Sequence, residues 1–262
     1  MLEALDAEYA GRVETLPYEP ERDGSTHMLN PTAIRAFSLR LAGAVAGVLG
    51  ERRFPVVLGG DCSILIGCLL ALRRTGSRYG LFFADGHADF YQPEASATGE
   101  VAEMELGIVT GRGPEVLADI DGLRPLVRDE DVVVFGYRHA ERAAAQGSRD
   151  VRDTPIHVFD LAQARSPGFE QAALRAVGNL LREELAGFWI HLDADVLDDA
   201  IMPAVDYRLE GGLSFSELSE LLKILLASGE AVGMTVTIFN PALDTDGSIA
   251  RNFVSSVAAG LA

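Results

Sequence analysis

Two apolar runs of strand length, residues 79–84 and 188–192, each end directly in carboxylates: Asp85-Gly86-His87-Ala88-Asp89 after the first, Asp193-Ala194-Asp195 after the second. Ligands of open α/β sheets collect at the carboxyl ends of strands, so this pattern predicts a sheet with an acidic site along one rim. Side chains alternate in direction along extended backbone. On that basis Asp85, His87 and Asp89 share a side, as do Asp193 and Asp195. Four carboxylates and an imidazole in one place repel one another unless cations offset them. Hard oxygen donors with a single imidazole suit manganese, or another octahedral first-row ion, better than tetrahedral zinc. One such triplet alone is ordinary turn chemistry. Two together, each behind a buried strand, predict a site for a pair of divalent ions.

The rest of the chain supports a large α/β core. Its 262 residues, 48% of them hydrophobic, are enough for one domain with a single core. A net charge of −17 argues against nucleic acid or an anionic membrane as partner, and no polybasic run offsets it locally. No signal peptide is evident, and no uninterrupted apolar stretch reaches bilayer length. Cys62 and Cys68 lie six apart in one segment, too close to pair readily, which predicts a reducing, cytoplasmic setting.

Strand and helix patterns alternate without linker, repeat or low-complexity tract. Asn30-Pro31 reads as an N-cap and first-turn proline for a helix over 32–49. Strands are expected at 54–58, 79–84, 131–135, 156–159, 188–192 and 231–236. Helices are expected at 63–74, from 115 onward, at 169–186, at 214–227 and after Gly247. Such alternation predicts a three-layer α/β/α sandwich with a mostly parallel central sheet. One domain over residues 1–262 is the simplest account.

Gly59-Gly60-Asp61-Cys62-Ser63, the two acidic clusters, and Asn240-Pro241 occur in the order and approximate spacing of a known family. They resemble the arginase/agmatinase/formimidoylglutamase family, the ureohydrolases, from about Asn30 to the C-terminus. The resemblance implies an arginase-like fold, two manganese ions per subunit, and a bridging hydroxide that attacks a guanidino or amidino carbon of a small substrate. It implies a homo-oligomer, trimer or hexamer. It also implies roles: Asp85 and Asp193 as bridging carboxylates, Asp89 on one ion, His87 and Asp195 on the other, and Asp61 orienting the ligand beside it. A water between two cations is acidified far below its bulk pKa, so no serine or cysteine nucleophile is needed. Asp89 is the natural acceptor of its proton.

Three positions depart from the family pattern. Cys62 stands where the family has His in Gly-Gly-Asp-His-Ser. It is either a sixth metal ligand or a small buried bystander. A branch of the family acting on N-hydroxylated arginine resembles this chain there. Ile238 stands where guanidinium-gripping members have Glu in Glu-x-Asn-Pro, which speaks against plain arginine or agmatine as substrate. Ala102 takes the place of a His near the substrate, within Thr98-Gly99-Glu100-Val101-Ala102-Glu103-Met104-Glu105. Those glutamates form either an acidic wall, with Glu100 as a substrate contact, or a solvated helix start.

Glu141 is a second candidate substrate contact, because the family uses acidic residues near the strand end at His139. His191 and Trp189 read as core. Chains of this family generally begin with a further strand and Gly-rich loop, which predicts that this one lacks the usual N-terminal strand-helix unit. Two other readings stay open: a metal-binding relative without turnover, and, less well supported, a nucleotide site using Gly59-Gly60.

Overall fold

The computed structural model describes residues 5, 7–166 and 168–261. Among them, six parallel strands form one sheet: β1 (Val56–Leu58), β2 (Gly80–Ala84), β3 (Val132–Tyr137), β4 (His157–Asp160), β5 (Phe188–Asp193) and β6 (Ala231–Thr237). Their spatial order is β1-β6-β5-β2-β3-β4. From β2 the chain steps outward to β3 and β4, then returns to lay β5 on the other flank of β2. The switch point of the sheet therefore falls between β2 and β5, where Ala84 pairs with Leu192. The two acidic clusters follow those two strands.

Alternation along the strands divides the core into two faces. Leu81, Phe83, Val132, Val134 and Trp189 point one way, and pack with α1 (Pro31–Gly50), α2 (Leu65–Arg74), α3 (Glu105–Val109) and α4 (Glu115–Ala118). Phe82, Ala84, Val133, Phe135, Phe188 and Ile190 point the other way. They meet α6 (Leu161–Arg165), α7 (Phe169–Gly178), α8 (Phe215–Ala227) and α9 (Ser248–Leu261), while α5 (Ala140–Ala145) lies exposed just past β3. Trp189 is fully buried, as a lone strand tryptophan should be. Gly233 makes room for it, since a Cβ there would lie 2.3 Å from the indole.

Several boundaries differ from the sequence reading, for local reasons. Asn30 holds the N-cap position with Pro31 in the first turn, as expected, but it adopts φ 52° and makes no side-chain cap bond; its side chain instead clamps the Glu19 N–H and carbonyl at 2.8 and 2.9 Å. The helix expected over 169–186 stops at Gly178, where the Asn179 amide turns back onto the Arg175 and Ala176 carbonyls. The first strand shrinks to three residues, although the Pro55 carbonyl still accepts from Met234 N–H. Helix α1 is, by length and composition, apolar enough to cross a membrane, but Arg35 and Arg40 interrupt it, in keeping with the absence of an uninterrupted apolar stretch of bilayer length. It packs Leu41, Ala42 and Val45 into the core instead. Strand β1 pairs with β6 alone among the described residues.

Candidate metal centre

The clusters converge, but through turns rather than pleats. Asp85 leaves the end of β2, and its Oδ1 accepts the His87 N–H two residues on, at 2.6 Å. Asp193 ends β5 and does the same with the Asp195 N–H, also at 2.6 Å. Each carboxylate thus fixes its own loop with one oxygen, a turn habit of Asp, and keeps the other for the space between the strands. Asp85 Oδ2 has no hydrogen-bond partner among the described residues. Asp89 is brought round by left-handed backbone (φ 41°). Its carbonyl is held by the Leu106 and Gly107 N–H groups at 3.1 and 3.4 Å.

Three overlapping groups of potential ligand atoms lie here, each within 4.8 Å of one another: Cys62, Asp85, His191 and Asp193; Cys62, Asp85, Asp89 and Glu105; and Asp85, His87 and Asp195. Asp85 is common to all three. The His87 Nδ1 lies 2.9 Å from Asp195 Oδ2 and 3.7 Å from Asp85 Oδ1. Burial pushes the His87 pKa down, but Asp195 and Asp85 outweigh it and hold it up at about 10. Burial, with repulsion from Asp195, lifts the Asp85 carboxyl to about 6. Asp89 and Asp193 are pushed well up by burial and by their acidic neighbours.

Cys62 sits in a helical turn, Cys62–Ile64, capped by Asp61, whose Oδ1 accepts the Ser63 N–H at 2.9 Å. Asp61 is exposed and acts on its neighbour only through that turn. The Cys62 thiol donates to Asp193 Oδ2 at 2.8 Å and lies 3.1 Å from Thr237 Oγ1. Burial, then Asp193, pushes its pKa well up.

Glu100 is bonded to the Tyr207 hydroxyl at 2.7 Å and lies outside these groups. Glu141 is exposed on the first turn of α5. Glu103 is occupied by Ser96 and Thr98. Glu105, read from sequence only as part of an acidic wall or a solvated helix start, is the residue whose place the sequence did not reveal. It is fully buried and within the cluster, not part of a solvated helix start. Its signal was the apolar company of Met104, Leu106, Ile108 and Val109.

His191 is core and cluster at once: its Nδ1 is 2.8 Å from Thr235 Oγ1, its ring stacks on Phe83 at 4.7 Å, and burial lowers its pKa to about 3. His139 stands edge-on to His87 at 4.6 Å. Ile238 is half-buried at φ 66°, a costly conformation for a β-branched residue, with its N–H on the Gly60 carbonyl at 2.8 Å. Arg138 donates to the carbonyls of Asp195 and Leu197, at 2.7 and 3.1 Å, and to those of Leu209 and Glu210, at 3.1 Å each. It thereby pins the loop that carries Asp195.

Comparison with known proteins gives the family and the fold. The arginase family profile matches residues 3–262. The arginase of Bacillus caldovelox is 30% identical over 271 residues, covering 97% of this chain and 87% of that protein. The arginase of Staphylococcus aureus strain MRSA252 is 28% identical over 245 residues, covering 94% and 78%. The crystal structure of Bacillus subtilis arginase superposes with a TM-score of 0.81 at 27% identity, covering 94% of this chain and 81% of that one.

Proposed function

This chain belongs to the arginase family, and from that premise we propose that it hydrolyses a carbon–nitrogen bond of a small guanidino or amidino compound at a pair of divalent cations, manganese by preference. One observation carries the reading. Asp85, Asp89, Asp193 and Glu105 are buried together, and no Lys or Arg pairs with them among the described residues. Asp131, equally buried at the opposite rim, is held by Arg78 at 2.5 and 2.8 Å and by Arg182. Buried charge needs compensation. Asp131 finds it in two arginines; the cluster has only His87, which lies against Asp195 and Asp85.

The donor set fits hard divalent ions. Asp85 belongs both to the group with Asp89 and Cys62 and to the group with His87 and Asp195, while Asp193 joins Asp85 and Cys62; the family pattern would have Asp85 and Asp193 shared between two ions. When bound, the cations supply an acidified water as nucleophile and take up charge that develops at the attacked carbon. Asp89, fixed through its carbonyl by the α3 N-terminus, accepts the proton and returns it to the departing nitrogen. Glu141, just past the end of β3, and Glu100, steadied by Tyr207, are the acidic side chains offered to a cationic substrate.

The test is manganese content after equilibrium dialysis, together with urea or ammonia release from a panel of linear guanidino and amidino compounds. Two ions per chain and metal-dependent turnover of at least one compound are expected. Ions without turnover would favour the non-catalytic relative, for which the replacements at Ala102 and Ile238 speak. No bound ion overturns the reading.

A further inference from the structure

The geometry points to Glu105 as a metal ligand, completing the ion position on the Cys62 side of the centre, where the chain has no imidazole from the Gly59-Gly60-Asp61-Cys62-Ser63 turn. Glu105 opens α3 and is 0% exposed. Neither carboxylate oxygen has a hydrogen-bond partner among the described residues. A ligand atom of Glu105 lies within 4.8 Å of those of Cys62, Asp85 and Asp89. Its chain neighbours Met104, Leu106 and Ile108 are apolar and buried.

Three features make this a built position. The α3 N-terminus is tied to the Asp89 carbonyl by the Leu106 and Gly107 N–H groups, so Glu105 and Asp89 are set relative to one another by backbone. The Cys62 thiol is engaged with Asp193 and Thr237, which leaves a carboxylate as the better-placed free donor. The second position, at Asp85, His87 and Asp195, does not include Glu105. The first ion is therefore held by oxygen from Asp85, Asp89 and Glu105, a hard set suited to manganese or magnesium. The second keeps the imidazole.

This inference rests on the two-cation reading above, and the experiment separates the two. Manganese stoichiometry and affinity are measured by calorimetry and elemental analysis for the wild type, Glu105→Gln and Cys62→Ser, with thermal midpoints read in EDTA and in manganese. We expect two ions in the wild type and in Cys62→Ser. In Glu105→Gln the first ion is lost or weakened at least about tenfold, the second retained. The near-isosteric Gln removes an unpaired buried charge, so the metal-free midpoint should hold or rise while the gain from manganese shrinks. Wild-type affinity for both ions in Glu105→Gln overturns the inference, as does loss of the first ion in Cys62→Ser alone, which would assign it to the thiolate. An unchanged manganese gain would identify Glu105 as an acid sharing a proton with Asp89. A wild type that binds no ion overturns the two-cation reading itself.

Discussion

Asp193→Asn and Asp131→Asn make the same chemical change at two buried carboxylates and should move metal-free stability in opposite directions. Asn at 193 keeps an oxygen for the Asp195 N–H, now accepted by Asp193 at 2.6 Å, and removes one of several unpaired like charges. An uncompensated buried charge costs about 3–5 kcal/mol. Protonation in the metal-free state relieves much of that, which leaves a gain of about 1–3 kcal/mol, or roughly 2–8 °C for a chain of this size. At 131 the substitution strips Arg78 and Arg182 of their partner. Those guanidiniums are 26% and 33% exposed, so the loss is about 2–4 kcal/mol rather than the full buried-pair value. In manganese the order should change: Asp193→Asn gives up a proposed ligand and at least about 10–100-fold in metal affinity, and Asp131→Asn gives up none. Differential scanning fluorimetry in EDTA and in manganese, with metal analysis, reads all four values. If Asp193→Asn lowers the metal-free midpoint as far as Asp131→Asn, or keeps full metal and turnover, the argument fails.

The metal-free protein should lose stability as pH rises from 6.5 to 9. His87, held up at about 10, keeps a proton in the folded state that the unfolded chain has released; the carboxyls of Asp89, Asp193 and Glu105, pushed up by burial, bias stability in the same direction. His139 and His191, lowered to about 4 and about 3, act only below that window. Manganese should flatten the slope, and a flat metal-free profile by thermal melts would contradict it. L-arginine and agmatine should be turned over tens to hundreds of times less efficiently than by guanidinium-gripping arginases, about 2–4 kcal/mol for a missing charge-assisted contact; efficient urea release from either would show that Ile238 is misread. Gly233→Ala should cost about 1–3 kcal/mol by forcing Trp189 and Pro55 aside, as its Cβ would lie 2.3 and 2.9 Å from them. Metal affinity should be untouched, and an unchanged melting midpoint would count against the packing described.

The sheet was legible because period and burial coincide: 79–84 and 188–192 are apolar on both faces, as central parallel strands must be. The positions of the acidic clusters then followed from strand ends. What alternation could not supply was how they converge, because Asp85 and Asp193 bind backbone N–H groups two residues on and turn the chain there. Helix 169–186 was overextended because Leu180 and Leu185 continue an apolar pattern that serves a turn packed on Phe188, not a helix. Glu105 was obscured by its sequence neighbours. Glu100 and Glu103 look like the same acidic stretch, yet each is bonded to a hydroxyl while Glu105 points inward.

The departures from the family pattern gather in one place. Cys62 touches Thr237, Ile238 follows Thr237 and bonds to Gly60, and Glu105 lies three residues from Ala102 and within reach of Cys62. The opposite half of the centre, Asp85, His87 and Asp195, keeps its pattern and is braced by Arg138. On the altered side, the carboxylate that would grip a guanidinium is absent and another has arrived beside the first ion. With Glu105 as the proposed ligand, negative charge would move from the substrate wall to the cation. A more anionic donor set weakens that cation as a Lewis acid, and the half-buried Ile238 gives a bare guanidinium no partner. On the reading proposed above, with Glu105 on the cation, both changes would favour a guanidino or amidino carbon whose outer nitrogen is substituted or uncharged, any positive charge of the substrate lying elsewhere, toward Glu100 and Glu141.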